Sequence, residues 1–378
     1  MKVILAGHTV DKGIIRQVAQ GRIRHDSVVS PESIAAAYGR ISRYPTPAPE
    51  LRRITREDVA SARRSNRLIV FKMGHRAVAE HVLFNFDILG ISRLALEALE
   101  EARLCTCTEK SGRHIESESA FVIPAEFSET QRQLLQRVVE MQAALQSKLF
   151  NPLLEHYSRL HPDMESKRRD VEALEGWALQ DAAYASGLCT QAQLGFSGNA
   201  RNIEYLIRKL RHHRLAEARE LGQLIFNAAA SAAPSLIELS DPGKFKEAFG
   251  TDLCEDHLRL YRDTLRHRAG EVMADTPKAG EDTPNPGDGD VTLVGHTPEP
   301  DVKLAASLLA AAGPSRPYGD CLEASRSLGR QDDGRLRAFI LEAMRHMSDR
   351  DPAPREFETV SFTFEIICSA SCFAALQR

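Results

Sequence analysis

Val82, Phe84, Phe86 and Ile88 occupy alternate positions, with Asn85 and Asp87 between them. A period of two is that of a strand with one buried face. The same figure returns near the end of the chain in Val360, Phe362, Phe364 and Ile366. A glutamate, Glu80 or Glu358, precedes each strand, and small residues then lead into an apolar helix start. A strand-plus-helix unit repeated this far apart predicts a tandem duplication. Val291-Thr292-Leu293-Val294-Gly295-His296-Thr297 also echoes Val3-Ile4-Leu5-Ala6-Gly7-His8-Thr9. The expected organisation is a first copy over 1–240, a helical extension and linker over 241–290, and a second copy over 291–378. That second copy breaks off inside an apolar helix, so the chain is expected to be a fragment of something longer.

Between these strands the periodicity turns helical. A strand is expected at Val3–Ala6, and a helix after Ser30, with Pro31 in its first turn. The prolines between Tyr44 and Pro49 predict a loop, and 56–73 a single helix closed by Gly74. Phe121-Val122-Ile123-Pro124 reads as a short apolar piece. Ser128 and Gln131 form a capping box that opens a long helix to about Arg159. Its apolar stripe is Leu134, Leu135, Val138, Val139, Met141 and Leu145. Further helices are expected at 168–186 and 199–231, the latter breaking near His212-His213-Arg214 and stopped by Pro234. Residues 275–290 are Pro, Gly and acidic residues with no large apolar side chain, the composition of a flexible linker.

With 378 residues and 43% hydrophobic content, the chain can fill ordinary cores. A net charge of −3 argues against a generic binder of nucleic-acid backbone. No apolar run approaches the length of a membrane span or a signal-peptide core, so a soluble cytoplasmic protein with no membrane partner is expected. The seven cysteines lack paired CxxC spacing, which predicts reduced, packed thiols and no metal site. No HExxH, P-loop or GxGxxG is present.

Gly74-His75, Glu80-His81-Val82, Phe84-x-Phe86, Gly90 and Ser92-Arg93 follow one another in a pattern that resembles the flavin-dependent thymidylate synthases. Glu109-Lys110-Ser111-Gly112-Arg113 and Gly198-Asn199-Ala200-Arg201 continue the resemblance in order and spacing, and together it covers most of 1–240. It implies an α+β fold with an antiparallel sheet flanked by long helices, and a homotetramer whose sites are shared between subunits. FAD as cofactor, NADPH and methylenetetrahydrofolate as co-substrates and dUMP as substrate are implied with it. Carried over residue by residue, His75, Glu80, Arg103, Asn199 and Arg201 face the cofactor; Glu109, Ser111, Arg113 and Arg211 face the nucleotide. No catalytic residue is assigned, since in this family the methylene group passes through reduced flavin without an enzyme nucleophile. The residue types suit the task, because an arginine fork gives phosphate bidentate, charge-assisted bonds.

Departures from the pattern concern the nucleotide. Glu101-Ala102-Arg103 stands where the family has Arg-His-Arg, and Ala98 where it has a pyrimidine-contacting Gln. No arginine stands near Ala183, and a further family arginine falls at Leu210, between Arg208 and Arg211. Two unit charges about 6 Å apart interact by about 3 kcal/mol at an effective dielectric of about 20. A glutamate in place of an arginine beside a phosphate therefore predicts weak dUMP binding by this copy. In the second copy Thr359 replaces the histidine and Ala353 aligns with His75. The alternative expectation is a non-catalytic relative that supplies oligomer contacts or binds flavin or nucleotide without turnover. Arg266-His267-Arg268 has the letters of the signature without its strand, and is read as coincidence.

Overall fold

The alternation at 82–88 builds strand β2 (Leu83–Ser92), which buries Phe84, Phe86 and Ile88 and exposes Leu83, Asn85 and Asp87. One edge of β2 pairs antiparallel with β1 (Lys2–His8), the other with β4 (Gln191–Asn199), and β4 also carries β3 (Cys105–Glu109). The four-stranded order is β1-β2-β4-β3. The computed structural model describes residues 1–22, 30–102, 104–110, 120–250, 252–253, 264, 291–312, 317–331, 333–345 and 354–376. The expected linker at 275–290, Arg266-His267-Arg268 and Ala353 lie outside these residues. The chain divides into two units, Met1–Pro277 with Ala374–Arg378, and Lys278–Phe373.

In the first unit α1 (Lys12–Ala19) and α2 (Glu32–Ile41) precede α3 (Ala48–Glu57) and α4 (Val59–Asn66). The single helix expected over 56–73 is thus broken. Asp58 leaves helical geometry, at φ −130° and ψ 83°, and its carboxylate caps α4 through Ser61 N–H. A π-helical turn, Arg67–Lys72, then closes the segment. The proline loop is shorter than expected, because Pro47 and Pro49 suit a helix start and α3 begins at Ala48.

A 3-10 turn (Arg76–His81) enters β2, and α5 (Arg93–Glu100) leaves it, capped by Ser92. The capping box at Ser128 and Gln131 forms, and α6 (Glu129–Leu160) runs on from it. α6 packs against α7 (Arg168–Ala182), which is followed by a 3-10 turn (Ala183–Ala185), yet none of its residues is fully buried. Leu134, Val138, Met141 and Leu145 stay 41–72% exposed.

α8 (Ala200–Arg211), α9 (Ala216–Ala232) and the apolar face of β2 form the main core, separated at the expected histidine break. α10 (Pro242–Phe249) follows, its Phe245 clustered with Leu239, Leu253 and Phe71. α8 and α9 approach so closely at Gly222 that an added Cβ would lie 2.8 Å from Leu210 Cβ. Gly222→Ala is expected to lose about 1–3 kcal/mol to overpacking, despite alanine's better helix propensity. Urea unfolding followed by the fluorescence of the single tryptophan, Trp177, measures it.

The second unit opens with β5 (Val291–His296), followed by α11 (Pro300–Ala312), α12 (Tyr318–Gln331) and α13 (Asp333–Ala343). A 3-10 turn (Arg355–Thr359) then leads into β6 (Phe362–Ile366), and α14 (Ala370–Leu376) begins within this unit. Its core is small: Leu304, Ala305, Leu336 and Ile340, with Phe357 and Val360 against it. β5 pairs antiparallel with β6, and Val291, Leu293 and His296 face Ile366, Phe364 and Phe362. In the first unit Val3, Leu5 and His8 face Ile88, Phe86 and Phe84, and both hairpins slip register just before a glycine, Gly7 or Gly295. The ends agree as well. Thr9 N–H donates to Leu83 O at 3.0 Å, and Thr297 N–H to Ser361 O at 2.9 Å.

Candidate functional site

α8 gathers most of the residues singled out from the sequence. Asn199 is its N-cap, its side chain accepting Asn202 N–H at 2.9 Å. Arg201, in the first turn, pairs with Glu80 at 2.6 Å, so two residues expected to face a cofactor hold one another. Beside them the π-helical turn ends where His75 N–H donates to Ile69 O at 3.0 Å. Gly74 makes this exit with φ +75°, a conformation that favours glycine. His75 Nε2 lies 3.2 Å from Arg43 Nη2, and Tyr38 meets His81 edge-on at 4.7 Å between ring centroids. Tyr38, Ser42, Ile69, His75, Arg76 and Arg201 line an open cleft of about 460 Å³.

Under this cleft lies a charge cluster that the sequence reading missed. Glu204 is buried on α8, where Arg76 donates to one carboxylate oxygen and Arg208 lies 3.5 Å from the other. Arg208 stacks over Phe245 at 5.5 Å and Arg76 over Phe71 at 5.7 Å. Burial pushes the Glu204 carboxyl above its ordinary range, against the pull of Arg76 and Arg208. A glutamate among the inward apolar residues Ile203, Leu206 and Ile207 was the available signal.

At the other end of α8 the expectation about Glu101 changes. Its carboxylate is held by Lys209, so its charge does not stand alone against a ligand. Leu210, aligned with a family arginine, points into the core, as does Ala98. Of the flanking arginines, Arg208 belongs to Glu204. Arg211 lies over the Phe226 ring at 5.1 Å, its Nε and Nη2 buried without a hydrogen-bond partner among the described residues. Burial pushes this guanidinium down from its usual range, while Asp241 acts the other way. At 1.5 Å rise per residue, Arg211 lies about 15 Å along α8 from Arg201, so the fold does not bring these two together in one chain.

Glu109, at the end of β3, is held by Arg93 at 3.3 Å. Ser92 donates to Glu217 Oε2 at 2.5 Å and its N–H to Glu217 Oε1 at 2.7 Å, which ties α5 to α9. Arg103, Ser111 and Arg113 lie outside the described residues. Cys105 and Cys107 sit on β3, packed against the main core, and burial pushes the Cys105 thiol up to about 11. A thiol with so little thiolate at neutral pH is a poor nucleophile. Among the described residues no group of three or more His, Cys, Asp or Glu could hold a metal ion, and no helix is long and apolar enough to cross a membrane.

Chemically, the first unit offers a cation-lined cleft at one end of α8 and, at the other, the half-buried Arg211, two of whose nitrogens have no hydrogen-bond partner among the described residues, an arrangement suited to anionic ligands. The "Flavin-dependent thymidylate synthase" of Clostridium tetani is 24% identical over 221 residues, 56% of this chain and 83% of its own. A "UPF0159 protein" of Chlamydia muridarum is 25% identical over 331 residues, 82% of this chain. The chain spans 58% of that relative's length and 33% of a second chlamydial protein's. A crystal structure of thymidylate synthase X from Helicobacter pylori with FAD and dUMP is 20% identical, at a TM-score of 0.38, covering 64% of this chain and 99% of its own. The family described as "Thymidylate synthase complementing protein" matches residues 25–235, which contain β2, the cleft and the whole of α8. On that match, which takes in more than half of its length, the chain belongs to the flavin-dependent thymidylate synthase family.

Proposed function

We propose that the chain acts in the cytoplasm as a flavin-dependent thymidylate synthase, methylating dUMP to dTMP with methylenetetrahydrofolate and NADPH. The observation that carries this reading is the cleft at Gly74, where His75 and Arg201, from two distant family segments, meet beside Arg76. Its donor set fits the pyrophosphate of FAD: two guanidiniums, an imidazole and, at His75, the Arg43 guanidinium. His75 and Arg201 would hold the phosphates, and the N-terminus of α8 directs backbone N–H groups toward the same charge. Bound there, FAD supplies the relay by which the methylene carbon reaches the pyrimidine. Arg211 is the cation kept for the nucleotide phosphate, with Arg113, Glu109 and Ser111 as its partners in holding the nucleotide, and Arg103 is assigned to the cofactor.

We propose sites shared between subunits, a reading supported by the distance of about 15 Å along α8 between Arg201 and Arg211. The homo-oligomer is proposed to form through α6, whose exposed Leu134, Val138, Met141 and Leu145 repeat at the spacing of a helix-packing seam. We also propose that 1–240 is a first copy and 291–378 the start of a second, joined through 241–290. Their shared hairpin register supports this.

A yellow protein that oxidises NADPH only when dUMP is present is the expected result. Arg211→Ala is expected to weaken dUMP about ten- to a hundredfold, the value of one or two charge-assisted hydrogen bonds, measured where both proteins are folded because the contact with Phe226 is lost as well. A specific observation favours a second reading, a scaffold without turnover: Arg201, Arg93 and Lys209 are each already paired with a protein carboxylate. A colourless protein with no dUMP-dependent thermal shift would establish that reading and end the first.

A further inference from the structure

The two hairpins agree residue for residue in register but differ in cover. In the first unit Phe84, Phe86 and Ile88 are at most 1% exposed, with Val3 and Leu5 partly buried beside them. They lie in the core formed with α8, α9 and Leu194 and Phe196 of β4. Their counterparts Phe362, Phe364, Ile366, Val291 and Leu293 are 43–60% exposed. None of these five joins the core of the second unit. The second edge of β2 is taken by β4, whereas among the described residues β6 pairs only with β5.

Such a surface has a cost. An unpaired strand edge beside an apolar face is a template for association. Two half-exposed phenylalanines and three aliphatic side chains leave an apolar patch on the order of 400 Å², the size that marks an interaction site. The first unit indicates what fits. Gln191–Asn199 supplies a strand with Leu194 and Phe196 inward, and Asn199 then starts an amphipathic helix that lays Ile203, Leu206, Ile207 and Leu210 into the core. The Chlamydia muridarum relative is longer than the stretch it shares with this chain, so a protein of this family has room for another such element.

We propose that the bare face and free edge of the β5–β6 hairpin are a docking surface for a strand–helix–helix segment with the chemistry of residues 191–232. The occupant's identity rests on the two-copy reading above; the bare surface does not. The strand of the occupant adds to β6, and its helices cover Phe362, Phe364 and Ile366.

A fluorescent peptide spanning residues 191–232, titrated into the full chain and followed by anisotropy, tests this. Saturable binding of one peptide per chain is expected. Phe364→Asp should weaken it about a hundredfold, because a carboxylate is placed in an apolar contact. Thr363→Asp, on the opposite face of the strand, should leave it unchanged. Phe364 lies outside the core of the second unit, so unchanged amide exchange in α11 and α13 verifies that the variant folds. No saturable binding, or binding indifferent to Phe364→Asp, overturns the docking surface. A concentration-dependent dimer of the chain that Phe364→Asp dissolves also overturns it, since a second copy is then the occupant. Amide protection along β6 in the chain alone reports the pairing with β5. Its absence removes the two-copy reading, whereas its presence without peptide binding removes only the docking inference.

Discussion

Arg76→Met is expected to destabilise the first unit by about 3 kcal/mol at neutral pH, the lower part of the range for breaking a buried ion pair. Arg76 is about a third exposed (33%), which tempers the effect, but its partner Glu204 is only 1% exposed. Methionine keeps the apolar stem against Phe71 and removes the charge. Glu204 is then left with Arg208 alone, at 3.5 Å. Burial already raises the Glu204 carboxyl, and losing Arg76 raises it further.

The sign of the pH dependence follows. A carboxyl raised in the folded state favours folding in its protonated form, and that contribution is lost as pH rises toward the folded-state value. The deficit of Arg76→Met should therefore be largest at neutral pH and shrink as acid protonates Glu204. Glu204→Gln in the same chain should recover part of the loss, because the uncompensated charge is gone while the shape remains. Urea unfolding of the single and double variants at neutral and acid pH measures both effects. A deficit that does not change with pH would mean that Arg76 acts through packing on Phe71 and not through Glu204.

That cluster also illustrates what could be read from the sequence. The strand at 83–92 was visible because its buried positions are large and strictly alternate. α6 was visible because its capping box stands on a turn that nothing else competes for. β3 and β4 were not. Cys105-Thr106-Cys107-Thr108-Glu109 has no large apolar side chain, and Gln191–Asn199 has only Leu194 and Phe196 among polar and small residues. Both become strands because β2 offers an edge, which is tertiary information. The same holds for charge. Glu101 looked like an uncompensated anion, but Lys209, more than a hundred residues away, reaches it. Glu80 and Arg201 were both visible as polar residues of a family pattern, whereas their pairing with each other depends on how the 3-10 turn meets α8. Local chemistry specified the caps and the strand; the partners of each charge came from the packing.

The hairpins allow the effect of packing to be measured directly, since the same residue type stands in the same register twice. Phe86→Ala is expected to cost about 3–5 kcal/mol, the usual loss for a fully buried phenylalanine. Phe364→Ala should stay within about 0.5 kcal/mol, as for surface substitutions. Each phenylalanine faces a leucine, Leu5 or Leu293, two residues before the glycine. Local sequence therefore predicts similar costs; only the cover differs, 1% exposure against 53%. Trp177 is the single tryptophan and belongs to α7, so its fluorescence follows the first unit alone. Amide exchange in α11 and α13 follows the second. Phe86→Ala should move the tryptophan transition to lower urea, and Phe364→Ala should move neither signal. If Phe364→Ala instead destabilised the second unit by several kcal/mol, its face would already be covered in solution, and the hairpin would be a second core in its own right.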